Sequence, residues 1–189
     1  MRRVFACASS VALAAAVLSA CGGGEQQDAA EPSGAYDVEV LEAQFAKSQK
    51  LARQTKMTLR VRNTGKSTVP NLAVTVRSFA RRSDQPGLAD PSRPVWILDR
   101  GPVNGENAYV DTYTAGPLRA GRTAEFTWLV TPVRAGRYEL KWSVAAGLHG
   151  KARARGANGE PPRGEFAVNV SRTPASARVD PSTGAVIRE

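Results

Sequence analysis

The sequence predicts an all-β fold: one antiparallel sandwich of about seven or eight strands. Three observations predict it. From Tyr36 onward, apolar residues recur mostly at every second position, the period of a strand and not of a helix. Asn, Gly and Pro turn signals separate these runs at spacings of roughly 8 to 20 residues, as in sandwiches. No stretch offers a capped amphipathic helix of useful length; Ala43 to Arg53 comes nearest and is expected to wrap a sheet edge.

The strands follow in order. Asp37 to Phe45 is a short first candidate. In Lys56 to Arg62, Met57, Leu59 and Val61 share one face, and Asn63-Thr64-Gly65 then makes a turn, since Asn and Gly tolerate positive φ. Leu72 to Val76 resumes the alternation, and Val95 to Leu98 and Ala108 to Tyr113 are shorter candidates. Ala124, Phe126, Trp128 and Val130 alternate next, and Arg134 to Arg137 forms a second turn. Tyr138, Leu140, Trp142 and Val144 then point one way, with Glu139, Lys141 and Ser143 opposite. A weak strand near Ala145 to Arg153 and a final one at Glu165 to Val170 complete the domain, set at residues 36–171. The tail, 172–189, carries Pro174, Pro181 and Gly184 and is expected to be unstructured.

Val61-Arg62-Asn63-Thr64-Gly65, followed by Leu72-Ala73-Val74, resembles bacterial modules of the CARDB type (cell adhesion related domain found in bacteria). Pro117 to Gly121 and Ala135 to Tyr138 fall where that family has later landmarks. The resemblance spans about Asp37 to Val170. It implies an immunoglobulin-like sandwich with an adhesion or scaffold role and brings no catalytic residues. Residues 81–106 depart from it as an insertion. Tyr138 is expected either as a tyrosine corner, bonded to nearby backbone, or as a core tyrosine with its tip in water.

Ahead of the domain, Arg2 and Arg3 form a positive segment and Val4 to Leu18 an apolar one, too short to span the hydrocarbon comfortably, which takes about 20 residues. Leu18-Ser19-Ala20-Cys21 resembles the lipobox of bacterial lipoproteins, in which the cysteine is acylated and the chain cut before it. Residues 1–20 are thus expected to be a removed signal peptide. Residues 21–35, polar and glycine-rich, are expected to be a flexible linker from a lipidated Cys21, which two acyl chains would hold stably to a membrane.

The 189 residues carry 26 Lys+Arg against 17 Asp+Glu, a net charge of +9; losing Arg2 and Arg3 leaves +7. Such a balance favours anionic lipid or wall polymer. Nucleic acid is not expected as a partner of an exported protein. The two cysteines, Cys7 and Cys21, precede the domain, which therefore has no thiol, disulfide or cysteine metal site. His149 is the single histidine, in a glycine-flanked turn, and Met57 faces inward, so neither a triad nor a copper site is expected. Asp99, Asn104, Glu106 and Asp111 offer oxygen ligands, but their spacing does not fit the EF-hand loop and no metal is expected. Lys151, Arg153 and Arg155 alternate with small residues, either as a contact for anionic polymer, to which Arg81-Arg82 would add if the fold brings it near, or as an edge strand protected by charge. Trp96 and Tyr109 are candidates for a stacking platform; the competing, preferred reading puts Trp96 in the core.

The expected function is that of a non-enzymatic binding, adhesion or scaffold module on the outer side of the cell membrane, without cofactor, anchored through lipid on Cys21. Its partner would be an anionic cell-wall polymer or an envelope protein. The alternatives are a carbohydrate-active or wall-processing enzyme, or an accessory subunit of an envelope complex.

Overall fold

The computed structural model describes residues 30–77, 79–80, 94–174 and 176–188. The signal sequence, Leu18 to Cys21, most of the linker, and Arg81-Arg82 lie outside the described residues.

Strand β1 (Gly34–Phe45) buries Val38 and Phe45 on one side and ends where the chain crosses to a second sheet as β2 (Ser48–Leu51). That crossing is the edge wrap expected of Ala43 to Arg53. β3 (Thr55–Asn63) puts Met57, Leu59 and Val61 in the core, as its alternation requires. β4 (Ala73–Arg77) and the two-residue β5 (Phe79–Ala80) follow, then β6 (Trp96–Val103). β7 (Glu106–Tyr109) and β8 (Thr112–Thr114) form a hairpin where one strand was expected, because Asp111 turns the chain with φ 60°. Asp is among the few residues that adopt that conformation readily. β9 (Thr123–Pro132), β10 (Gly136–Ala145), β11 (Ala152–Arg155) and β12 (Arg163–Pro174) complete the two sheets.

Their orders are β11-β1-β3-β9-β6-β5 and β2-β12-β10-β4-β8-β7. The inner pairings are antiparallel, while β11 on β1, β2 on β12 and β5 on β6 pair in parallel at the sheet margins. The sheets enclose one core in which Phe126 stacks on Trp128 and Tyr113 meets Trp128 edge-on. The fold is an all-β sandwich.

Three boundaries differ from expectation. The sheets extend from Gly34 to Pro174, past both ends of residues 36–171. The tail forms a hairpin of β13 (Ala177–Val179) and β14 (Val186–Arg188) and is not unstructured. Its turn is held by Asp180, whose Oδ1 accepts from the Ser182 N–H and hydroxyl at 2.8 and 2.6 Å. The strand expected from Ala145 is interrupted, since residues 147–151 bend before β11 begins.

That bend closes around Glu31, a residue assigned by composition to the linker. Its side chain is buried, and Oε2 accepts from the N–H groups of Leu148 at 2.9 Å and His149 at 2.7 Å, while Oε1 accepts from Ala152 at 2.5 Å. Gly147 makes room for this carboxylate, which a Cβ there would overlap. Burial alone would raise the Glu31 pKa, but the Ala152, His149 and Leu148 N–H groups together outweigh it and hold the carboxyl below its ordinary 4.5. A depressed carboxyl pKa means stability that is complete above the ordinary value and lost as pH falls through the folded one. Glu31→Gln is therefore expected to cost about 2 kcal/mol at pH 7, from weakened charge-assisted bonds. In urea titrations the gap from wild type narrows as pH falls below the ordinary carboxyl value and the Glu31 carboxylate is protonated.

At the same end of the sandwich Asn63 sits fully buried as a hub. Its Nδ2 donates to the carbonyls of Ser67 and Leu118, both at 2.8 Å, and its Oδ1 accepts from the Gly65 N–H at 3.0 Å. Its backbone bonds Arg122 O and Gly121 N. The Asn-Thr-Gly turn expected after β3 thus also ties the 116–122 loop to its own. Tyr138 resolves as a corner, its hydroxyl donating to the Ala135 carbonyl at 2.8 Å.

Candidate functional site

With Val74, Val76, Leu140, Val144 and Val168 turned into the core, strand alternation sends Thr75, Arg77, Lys141, Ser143, Arg163 and Glu165 to the outer face of the second sheet. Register then makes neighbours of residues far apart in sequence. Lys141 on β10 lies directly opposite Arg77 on β4 and Glu165 on β12. Ser143, two residues on, lies opposite Thr75 and Arg163. Cβ atoms of such pairs stand about 5 Å apart, so the side chains interact. These six residues, with Trp142 and Gly164, line a groove of about 550 Å³. A second depression of about 600 Å³ continues along β10 and β12, beside Lys47, Arg137, Glu139 and Asn169.

The groove's charges are poorly compensated. Its central row reads Arg77, Lys141, Glu165, with two like charges opposed. Among the described residues no carboxylate forms an ion pair within 4 Å of Arg77, Lys141 or Arg163. The outer face of the first sheet is built otherwise. Its corresponding row is Glu42, Arg60, Glu125, with the guanidinium 3.4 Å from one carboxylate and 3.7 Å from the other. Arg77 does feel Asp111 in the β7–β8 turn: burial raises the Asp111 pKa, and the Arg77 charge partly offsets the rise.

The floor of the groove depends on a glycine. Gly164 lies opposite Trp142, and a Cβ there would come 2.5 Å from the indole ring. Gly164→Ala is expected to cost roughly 1–3 kcal/mol through this overpacking, measured as a lowered urea midpoint with an unchanged m-value.

The residues singled out from sequence are not brought together. Trp96 is fully buried, its indole N–H donating to Gln49 Oε1 at 2.8 Å and its ring packed on Phe45 and Tyr138 at 5.6 and 5.8 Å. Tyr109 is exposed on β7, at the edge of the second sheet. The stacking platform therefore does not form, because Trp96 fills the space between the sheets. Arg153 and Arg155 stand on the outer side of β11, the edge strand, while Ala152 and Ala154 enter the core. Arg155 is paired with Asp37 at 2.6 Å, which holds that carboxyl below the usual range. Asp99 accepts from Thr131 and Gln54 at 2.6 and 3.2 Å, and among the described residues no three His, Cys, Asp or Glu side chains cluster as metal ligands.

Sequence reasoning missed the groove. The outward parity of Lys141 was legible, but Arg77 and Arg163 lie just beyond the strands expected from sequence, and the register that makes the three neighbours was not legible.

No family model matches the chain, and no curated protein matches it. Among solved structures it is similar to the CARDB domain of a Pyrococcus furiosus protein, crystallised in complex with di-metal ions. That match has 16% identity over 74% of this chain and 92% of the other, with a TM-score of 0.43. It is also similar to the native conformation of Escherichia coli alpha-2-macroglobulin, at 14% identity over 75% of this chain and 7% of that one, with a TM-score of 0.45.

Proposed function

We propose that this chain is a non-enzymatic binding module, held on the outer side of the cell membrane by lipid on Cys21, that presents the outer face of its second sheet to a partner in the envelope. The opposition of Arg77 and Lys141, with no carboxylate within 4 Å of either among the described residues, set against the doubly paired Arg60 on the first sheet, carries this reading. A protein gains nothing in stability by opposing two cations, so the arrangement makes sense where something else supplies the negative charge. Of the carboxylates on the two outer faces, Asp37 is paired with Arg155, and Glu42 and Glu125 share Arg60 on an open face. Glu31, buried at the foot of the linker, joins tether to domain and is bonded to backbone rather than offered to solvent.

The anchor is tested by Cys21→Ala. The wild-type protein is expected to partition into the detergent phase and to label with radioactive palmitate. The variant is expected in the aqueous phase, unlabelled; detergent partitioning of the variant would refute the lipid anchor.

A further inference from the structure

We infer that the groove across β4, β10 and β12 takes an extended polyanion, a chain bearing phosphate or carboxylate groups along its length, held by Arg77, Lys141 and Arg163. This deepens the reading of the domain as a binding module and rests on it, naming the ligand class for the same face.

The three cations sit on three adjacent strands, which places the outer two about 10 Å apart across the sheet. A chain with repeated charges can place a separate anionic group at each cation across that span, which a single small anion cannot. Arg77 and Arg163 supply planar forks that match phosphate or carboxylate oxygens, and Lys141 between them supplies a point charge. The Ser143 hydroxyl lies between Lys141 and Arg163 as a neutral donor, with Thr75 opposite it on β4 and meeting Thr112 at 3.0 Å. Glu165, opposite Lys141, repels an anion and marks one side of the path, so the ligand runs from Arg77 past Lys141 and Ser143 to Arg163. Binding also removes the repulsion between Arg77 and Lys141. A merely solvated basic face would be expected to show the alternation of sign seen for Glu42, Arg60 and Glu125.

The test uses the full-length lipoprotein in neutral detergent, titrated calorimetrically with long-chain polyphosphate, polyglutamate and inorganic phosphate. At least one polymer is expected to bind at 50 mM NaCl, and its identity decides between phosphate and carboxylate. The logarithm of the binding constant should fall with that of salt concentration with a slope of about 2 to 3, as for three neutralised charges. The triple variant Arg77→Gln, Lys141→Gln, Arg163→Gln is expected to bind roughly ten-fold or more weakly, with the slope close to zero. Arg60→Gln, on the other sheet, should bind as wild type. Unchanged melting of the triple variant shows that it is folded. Wild-type binding by the triple variant, failure of both polymers to bind, or inorganic phosphate binding as tightly as polymer would each overturn the assignment. Recovery of shortened polymer would instead overturn the non-enzymatic reading while leaving the groove as its site.

Discussion

Trp96→Ala is expected to lower the free energy of unfolding by about 4 kcal/mol, the largest effect of any single truncation proposed for this domain. The indole is completely buried between Phe45 and Tyr138, so truncation leaves a cavity that the surrounding sheets can fill only in part. It also strips the Gln49 carbonyl oxygen of its donor, and Gln49 is itself buried. Trp96→Phe separates the two contributions: it keeps most of the ring contact and loses the N–H, at a cost of about 1–3 kcal/mol. Urea unfolding of the three proteins measures both. If Trp96→Ala cost less than 1 kcal/mol, the core described for this end of the sandwich would be wrong.

Asn63→Ala is expected to follow at about 3 kcal/mol. Its side-chain amide satisfies the carbonyls of Ser67 and Leu118 and the N–H of Gly65, and all three bonds vanish together at a site closed to water. Asn63→Asp has nearly the same volume but turns two donors into acceptors facing carbonyl oxygens. It should be at least as damaging at pH 7 and partly relieved at pH 3, where the carboxyl can donate. Equal stabilities for the aspartate variant at the two pH values would sink the proposed role. Hydrogen exchange should show faster opening of the 64–68 and 116–122 loops in both variants, because Asn63 ties them together.

Period-two alternation was enough to place Met57, Leu59, Val61, Phe126, Trp128, Val130, Leu140 and Val144 inside, and the structure buries all of them. Alternation reports the face a residue takes and is silent on which strand lies beside it. That is why Lys141 could be read as outward-facing while its opposition to Arg77, set only by β10–β4 register, could not. Trp96 stood in the short strand candidate Val95 to Leu98, too brief for alternation alone to decide, and the preferred reading of it as a core residue matches the structure. Glu31 was illegible for a different reason. A lone carboxylate in a polar run looks like linker, and its partners are backbone N–H groups 117 to 121 residues away, which composition does not display. The turn at Asp111 was likewise hidden inside an alternating run, since Asp can continue a strand or leave it.

The Glu31 clamp also decides where tension goes. If the chain is held by its N-terminal end while the domain grips something else, a tug on the linker reaches Glu31 before Gly34, the first residue of the β1 ladder. Three backbone N–H groups must release the carboxylate before β1 can be peeled from β11. The clamp thus works as the strain relief on a cable does, taking up jolts at the point of entry and sparing the connection behind it.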